Sequence, residues 1–89
     1  MDIDAIKALA ESKGWQFIDH QEPNRMLSFY KLIGGKGARI NVYYSTMTVG
    51  TAIHHPKKGR TQLFRKHVDK DQLIQIFTNP RIHTDKGYY

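Results

Sequence analysis

The chain has 89 residues, 39% of them hydrophobic and 25% charged, with a formal net charge of +6 and no cysteine. That length suits one domain with one modest core, and the composition is not that of a disordered chain. The missing cysteines exclude a disulfide framework and a thiolate metal site, and no run of ~18 apolar residues is present to cross a membrane as a helix.

The charge is concentrated in the middle. Residues 1–22 hold five acids and two bases, and residues 69–89 hold three of each. Residues 23–68 hold no acid and nine bases: Arg25, Lys31, Lys36, Arg39, Lys57, Lys58, Arg60, Arg65 and Lys66. Tyr30, Tyr43, Tyr44 and Phe64 are interleaved with them. A basic, aromatic, acid-free stretch suits a polyanion, either RNA or single-stranded DNA. The acidic start Met1-Asp2-Ile3-Asp4 is unlike a secretory signal, so an intracellular location, cytoplasmic or nucleoid/nuclear, is expected.

In chain order, residues 2–13 read as a helix. Ile3, Ile6, Leu9 and Ala10 recur on one face, and Gly14 is placed to close it. Trp15 opens a strand to His20, in which Trp15 and Phe17 face one way and Ile18 the other. Glu22-Pro23-Asn24 is a turn. Met26 to Ile33 is apolar on both faces apart from Ser28 and Lys31, as expected of a central strand covered by a helix. Gly34-Gly35-Lys36-Gly37 reads as a hairpin connection. Arg39 to Ser45 then alternates, with Ile40, Val42 and Tyr44 toward the core and Arg39, Asn41, Tyr43 and Ser45 on an open face.

Thr48 to His54 places Val49, Thr51 and Ile53 on one side, while Gly50 and Ala52 leave the other shallow enough for another molecule to approach. His55-Pro56-Lys57-Lys58-Gly59 is a turn and Thr61 to Val68 the last strand. Asp69 and Gln72 have capping-box spacing, Val68 can staple onto Leu73, and Asn79-Pro80 stops a second helix faced by Leu73, Ile76 and Phe77. The expected fold is α+β: an N-terminal helix, an antiparallel meander of about five strands, and a C-terminal helix, with both helices on one face of the sheet. Residues 1–80 are expected to form a single domain and residues 81–89 a C-terminal tail ending in Tyr88-Tyr89, rings that could dock on the sheet or stack on a base, a disordered tail being the equal alternative.

Two groups carry the binding expectation. Lys57, Lys58, Arg60, Arg65 and Lys66 lie within ten residues and are expected to grip phosphates. Arg39 and Tyr43, with Tyr30 and Lys31 nearby if the strands pair as a hairpin, are expected on the open face, where an aromatic ring gives a base a platform. Gly34-Gly35-Lys36-Gly37 lacks phosphate-loop spacing and no helix follows it. The histidines are His20, His54, His55, His67 and His83. No metal site and no cofactor are expected, because the middle supplies no carboxylate and the adjacent His54 and His55 point apart on a strand. A histidine pair could still cleave RNA by moving the 2′-hydroxyl proton, and His54 and His67 could face each other across the last hairpin.

Ile6-Lys7-Ala8-Leu9 through Gly14-Trp15, with the final strand and helix, resembles the small HicA-type ribonuclease toxins, whose fold is that of a double-stranded-RNA-binding domain. Asp19-His20-Gln21-Glu22 stands where that family has Gly-Ser-His-His, and an extra hairpin lies in the middle. The resemblance carries over His20 alone as a catalytic residue. A basic antiparallel sheet backed by helix is also similar in architecture to single-stranded-DNA-binding transcription coactivators and Pur-type domains. The leading expectation is a non-catalytic nucleic-acid-binding domain. The alternatives are a metal-independent ribonuclease using His20, His54 or His67, and a protein-interaction module whose basic face meets an acidic partner or whose exposed sheet edge pairs with a second copy as a homodimer.

Overall fold

The computed structural model describes residues 2–55 and 59–80, with side chains throughout except at positions 54, 55 and 59–61. Helix α1 spans Ile3–Ser12. The strands are β1 (Gln16–Gln21), β2 (Met26–Ile33), β3 (Lys36–Tyr43), β4 (Thr48–His55) and β5 (Gly59–Arg65), and α2 spans Lys70–Thr78. The strands form one antiparallel sheet in the order β1-β2-β3-β4-β5, so every neighbour in sequence is a neighbour in space. The expected α+β architecture is the observed one.

Both helices start on side chains the sequence supplies. Asp2 caps α1, its Oδ1 accepting from the Ala5 amide at 2.7 Å. At the other end Gly14 takes a φ of 85°, its amide donates to Glu11 O and the Trp15 amide donates to Ala10 O. This pair of hydrogen bonds to the last turn requires a left-handed residue, a conformation glycine adopts without a Cβ penalty. Asp69 and Gln72 close a reciprocal capping box on α2, with bonds of 2.8 and 3.0 Å. Such a cap stabilises a helix by about 1 kcal/mol.

The helices share one face of the sheet. Ile6 and Ala10 of α1 and Leu73, Ile76 and Phe77 of α2 belong to a single buried cluster with Leu27, Phe29, Ile40, Val42, Val49 and Ile53. Trp15 joins the layers: its indole Nε1 donates to Phe77 O at 2.8 Å, and its ring lies 6.1 Å from that of Phe77. Phe77 meets Phe29 edge-on at 5.4 Å. Each strand alternates, so residues between these core positions point to the opposite face, where no described helix packs.

Two local features depart from simple alternation. The β1–β2 register shifts between Phe17 and Asp19, leaving Ile18 on a bulge and 43% exposed. That bulge resolves the mixed facing of Trp15, Phe17 and Ile18. In β2, Gln16 pairs with Tyr30, so Lys31 to Ile33 run past the start of β1. Met26 to Phe29 are buried as a central strand should be, whereas Leu32 and Ile33 are exposed. Gly34 and Gly35, with φ of 59° and 78°, make the tight turn into β3.

Among the described residues no helix is long and apolar enough to cross a membrane.

Candidate nucleic-acid interface

The uncovered face is built from facing pairs across the three central strands. Ser28 pairs with Asn41 and Asn41 with Gly50; Tyr30 pairs with Arg39 and Arg39 with Ala52; Met26 pairs with Tyr43. Pairing fixes the face, so Arg39, Asn41 and Tyr43 stand together opposite Ile40 and Val42, as their alternation predicts. All three are half-buried, while Ser28 beneath them is fully buried although no described helix lies on this side.

A hydrogen-bonded triad forms the floor. The Ser28 hydroxyl donates to Asn41 Oδ1 at 2.8 Å. Arg39 Nε donates to the same Oδ1 at 3.2 Å, and Arg39 Nη2 donates to Ser28 Oγ at 3.2 Å. The guanidinium is thereby tied to Ser28 and Asn41, the residues between Tyr30 and Tyr43 in the pairing of β2 with β3. Tyr30, 38% exposed, crosses Gly37, where a Cβ would stand 2.8 Å from its hydroxyl. Glycine at that point is what lets the ring lie close to the sheet.

On the other side Phe64 lies over Gly50, its ring edge 2.8 Å from where a Cβ would be. This corrects one expectation. The shallow side at Gly50 is filled by the protein's own ring, because an aromatic side chain on β5 packs readily across a glycine on its neighbour.

The nine cations do not form one ledge. Among the side chains described, Arg39 is the cation on the open face, and Asp19, paired with Ser28 and accepting from Gln21 Nε2 at 3.1 Å, is an acid on the same face. Lys31 points to the helix side, where its Nζ donates to Lys13 O at 2.9 Å and lies 5.8 Å from the Trp15 ring centroid. Arg25 is in the β1–β2 turn, Lys36 at the β2–β3 turn, and exposed Lys66 follows β5. Lys57 and Lys58 lie outside the described residues, as do His83 and the rest of the tail; Arg60 is placed only by its backbone pairing with His54.

Arg65 is the clearest correction. It was expected to grip phosphate, but it lies on the helix side, 0% exposed. Its Nη1 donates to Thr51 Oγ1 at 3.0 Å and its Nη2 to Pro80 O at 2.7 Å, so it ties β4 and β5 to the chain leaving α2. Burial pushes its pKa down to about 10, still far above neutrality, so the guanidinium is charged. A phosphate outside the protein cannot reach it without unpacking this corner.

The backbone register does not bring the catalytic candidates His20, His54 and His67 together. His54 pairs with Arg60 while Val49 pairs with Arg65, so His67, beyond Arg65, is at the other end of the hairpin from His54. Val49 and His54 are five residue steps apart along β4, about 17 Å. His67 is beside the β3–β4 turn, where the Val68 amide donates to Met47 O at 2.9 Å. His20 is on β1, at the far edge of the sheet from β5, four strand spacings or about 19 Å away. Its Nε2 bonds Tyr44 Oη at 2.9 Å with the rings edge-on, and Tyr44 packs against the core as expected. Among the described residues no three histidine or carboxylate side chains converge as metal ligands do.

Ser28 is the site residue that reasoning from sequence missed. Its signal was that it is one of only two polar residues in β2, two positions from Tyr30.

No family model, no curated protein and no solved structure matches this chain.

Proposed function

We propose that the uncovered sheet face binds an unpaired strand of nucleic acid, RNA or single-stranded DNA, without catalysis. The observation that carries this reading is the flanking of the Arg39–Asn41–Ser28 triad by Tyr30 and Tyr43 on a face that the described helices leave open. The tyrosine rings offer stacking platforms, each worth ~1–3 kcal/mol per base. Stacking needs bases whose faces are free, which a duplex conceals. Arg39 adds charge and a planar donor between the rings, and the net charge of +6 draws a polyanion toward the protein.

The binding is expected to be electrostatic in part and weak in salt. If two to four phosphates are neutralised, the log–log plot of affinity against salt should have a slope of about −1.4 to −2.8 for a single strand. Fluorescence anisotropy with a labelled single strand and with the matched duplex tests this. Tighter binding to the single strand, with a slope in that range, supports the reading. Equal affinity for the duplex, or a flat slope, contradicts it.

A further inference from the structure

The triad leaves one kind of hydrogen-bonding group pointing outward. An arginine Nε–H can only donate, so the Asn41 atom 3.2 Å from it is necessarily the carbonyl Oδ1. That fixes which way the amide faces. Oδ1 also accepts from the Ser28 hydroxyl, and Ser28 Oγ accepts from Arg39 Nη2. Oδ1 therefore uses both its lone pairs inside the triad, and Ser28, 0% exposed, presents no acceptor outward. What the triad can still offer is N–H alone: both hydrogens of Asn41 Nδ2 and the remaining hydrogens of the Arg39 guanidinium. Among the described residues no buried side-chain nitrogen or oxygen lacks a partner, so Nδ2, which takes no part in the triad's bonds, is open to solvent.

We infer that the triad is a donor-only reading head that selects bases presenting two adjacent acceptors. Guanine offers O6 beside N7, and cytosine offers O2 beside N3. Adenine is disfavoured, because its N6 amino group lies beside both N1 and N7 and would set donor against donor. Guanine and adenine stack with similar area, so the difference between them reports the hydrogen-bonding edge and not the rings. This inference rests on the nucleic-acid reading above and adds base preference to it.

The test uses the wild-type protein and thymine oligonucleotides in which every third base is replaced by guanine, inosine, 7-deazaguanine or adenine. Guanine and inosine should bind alike, since both carry O6 and N7 and differ only in the 2-amino group. Adenine should bind on the order of tenfold more weakly, and 7-deazaguanine, which lacks N7, should fall between. Equal affinity across the series overturns the base preference while leaving strand binding intact. Failure of every oligonucleotide to bind overturns both. In an Asn41→Asp variant a carboxylate oxygen replaces the outward amide, so the guanine-to-adenine affinity ratio should fall toward one or invert even though total affinity drops. A ratio unchanged from wild type overturns the assignment to Asn41.

Discussion

An Arg65→Ala variant is expected to lose about 3 kcal/mol of stability and to unfold on the order of 15 °C lower than wild type. The guanidinium is wholly buried, and it donates to Thr51 Oγ1 and to Pro80 O in the interior. Truncation leaves both without that donor and opens a void the size of the lost side chain. The loss is large against the 5–15 kcal/mol that holds a typical domain. Lysine should restore only part of it, because a single ammonium lacks the fork that spans two acceptors on different segments. Urea denaturation followed by the fluorescence of Trp15, the chain's one tryptophan, measures the change. At temperatures where the variant is folded, its affinity for an oligonucleotide should match wild type. An unchanged midpoint together with weakened binding would show instead that Arg65 reaches a phosphate.

The second large effect is on binding. Replacing both Tyr30 and Tyr43 by alanine removes two stacking platforms at ~1–3 kcal/mol each, so the affinity for a single strand should fall ~30-fold or more. Phenylalanine at both positions should retain most of it, since the ring and not the hydroxyl supplies the platform. Stability should change little, because both rings are partly exposed and lie away from the main core. Tyr44→Phe is the control. That ring packs against the core and bonds His20, so its variant should bind normally. An affinity within about twofold of wild type in the double alanine variant would remove the sheet face from the binding account.

How far the sequence reached can be judged element by element. The capping box at Asp69–Gln72 and the spacing of Ile6 and Ala10 each specify a local state that tertiary contacts then reinforce, so both helices were legible. The alternation in β3 was legible for the same reason: only one parity is apolar, so only one face can be buried. β5 was not legible. Leu63 lies on one parity and Phe64 on the other, so hydrophobicity alone does not say which set faces the helices. The structure puts Arg65 inside with Leu63 because Thr51 and the Pro80 carbonyl supply acceptors there. Those acceptors are distant in sequence, and no pattern within β5 announces them.

The charge pattern misled in a related way. An acid-free stretch is a one-dimensional property, whereas a strand sends successive residues to opposite faces. Lys31 and Arg39, though both close to Tyr30 in the sheet, therefore emerge on different sides. Their places on the two arms of the last hairpin likewise suggested that His54 and His67 could face each other. Register decides that question, and it places them at opposite ends. What alternation and pairing do foretell is a shared face: Arg39, Asn41 and Tyr43 stand together, with Tyr30 alongside.

The most direct measurement is an NMR titration with a thymine–guanine single strand, read at side chains that belong to one face only. Binding across the open sheet predicts upfield shifts of the Tyr30 and Tyr43 ring protons and movement of the Asn41 amide and Arg39 Nε–H signals, while the Trp15 indole N–H, bonded to Phe77 on the helix side, stays in place. Movement of the Trp15 signal with the tyrosine rings unmoved would contradict the account.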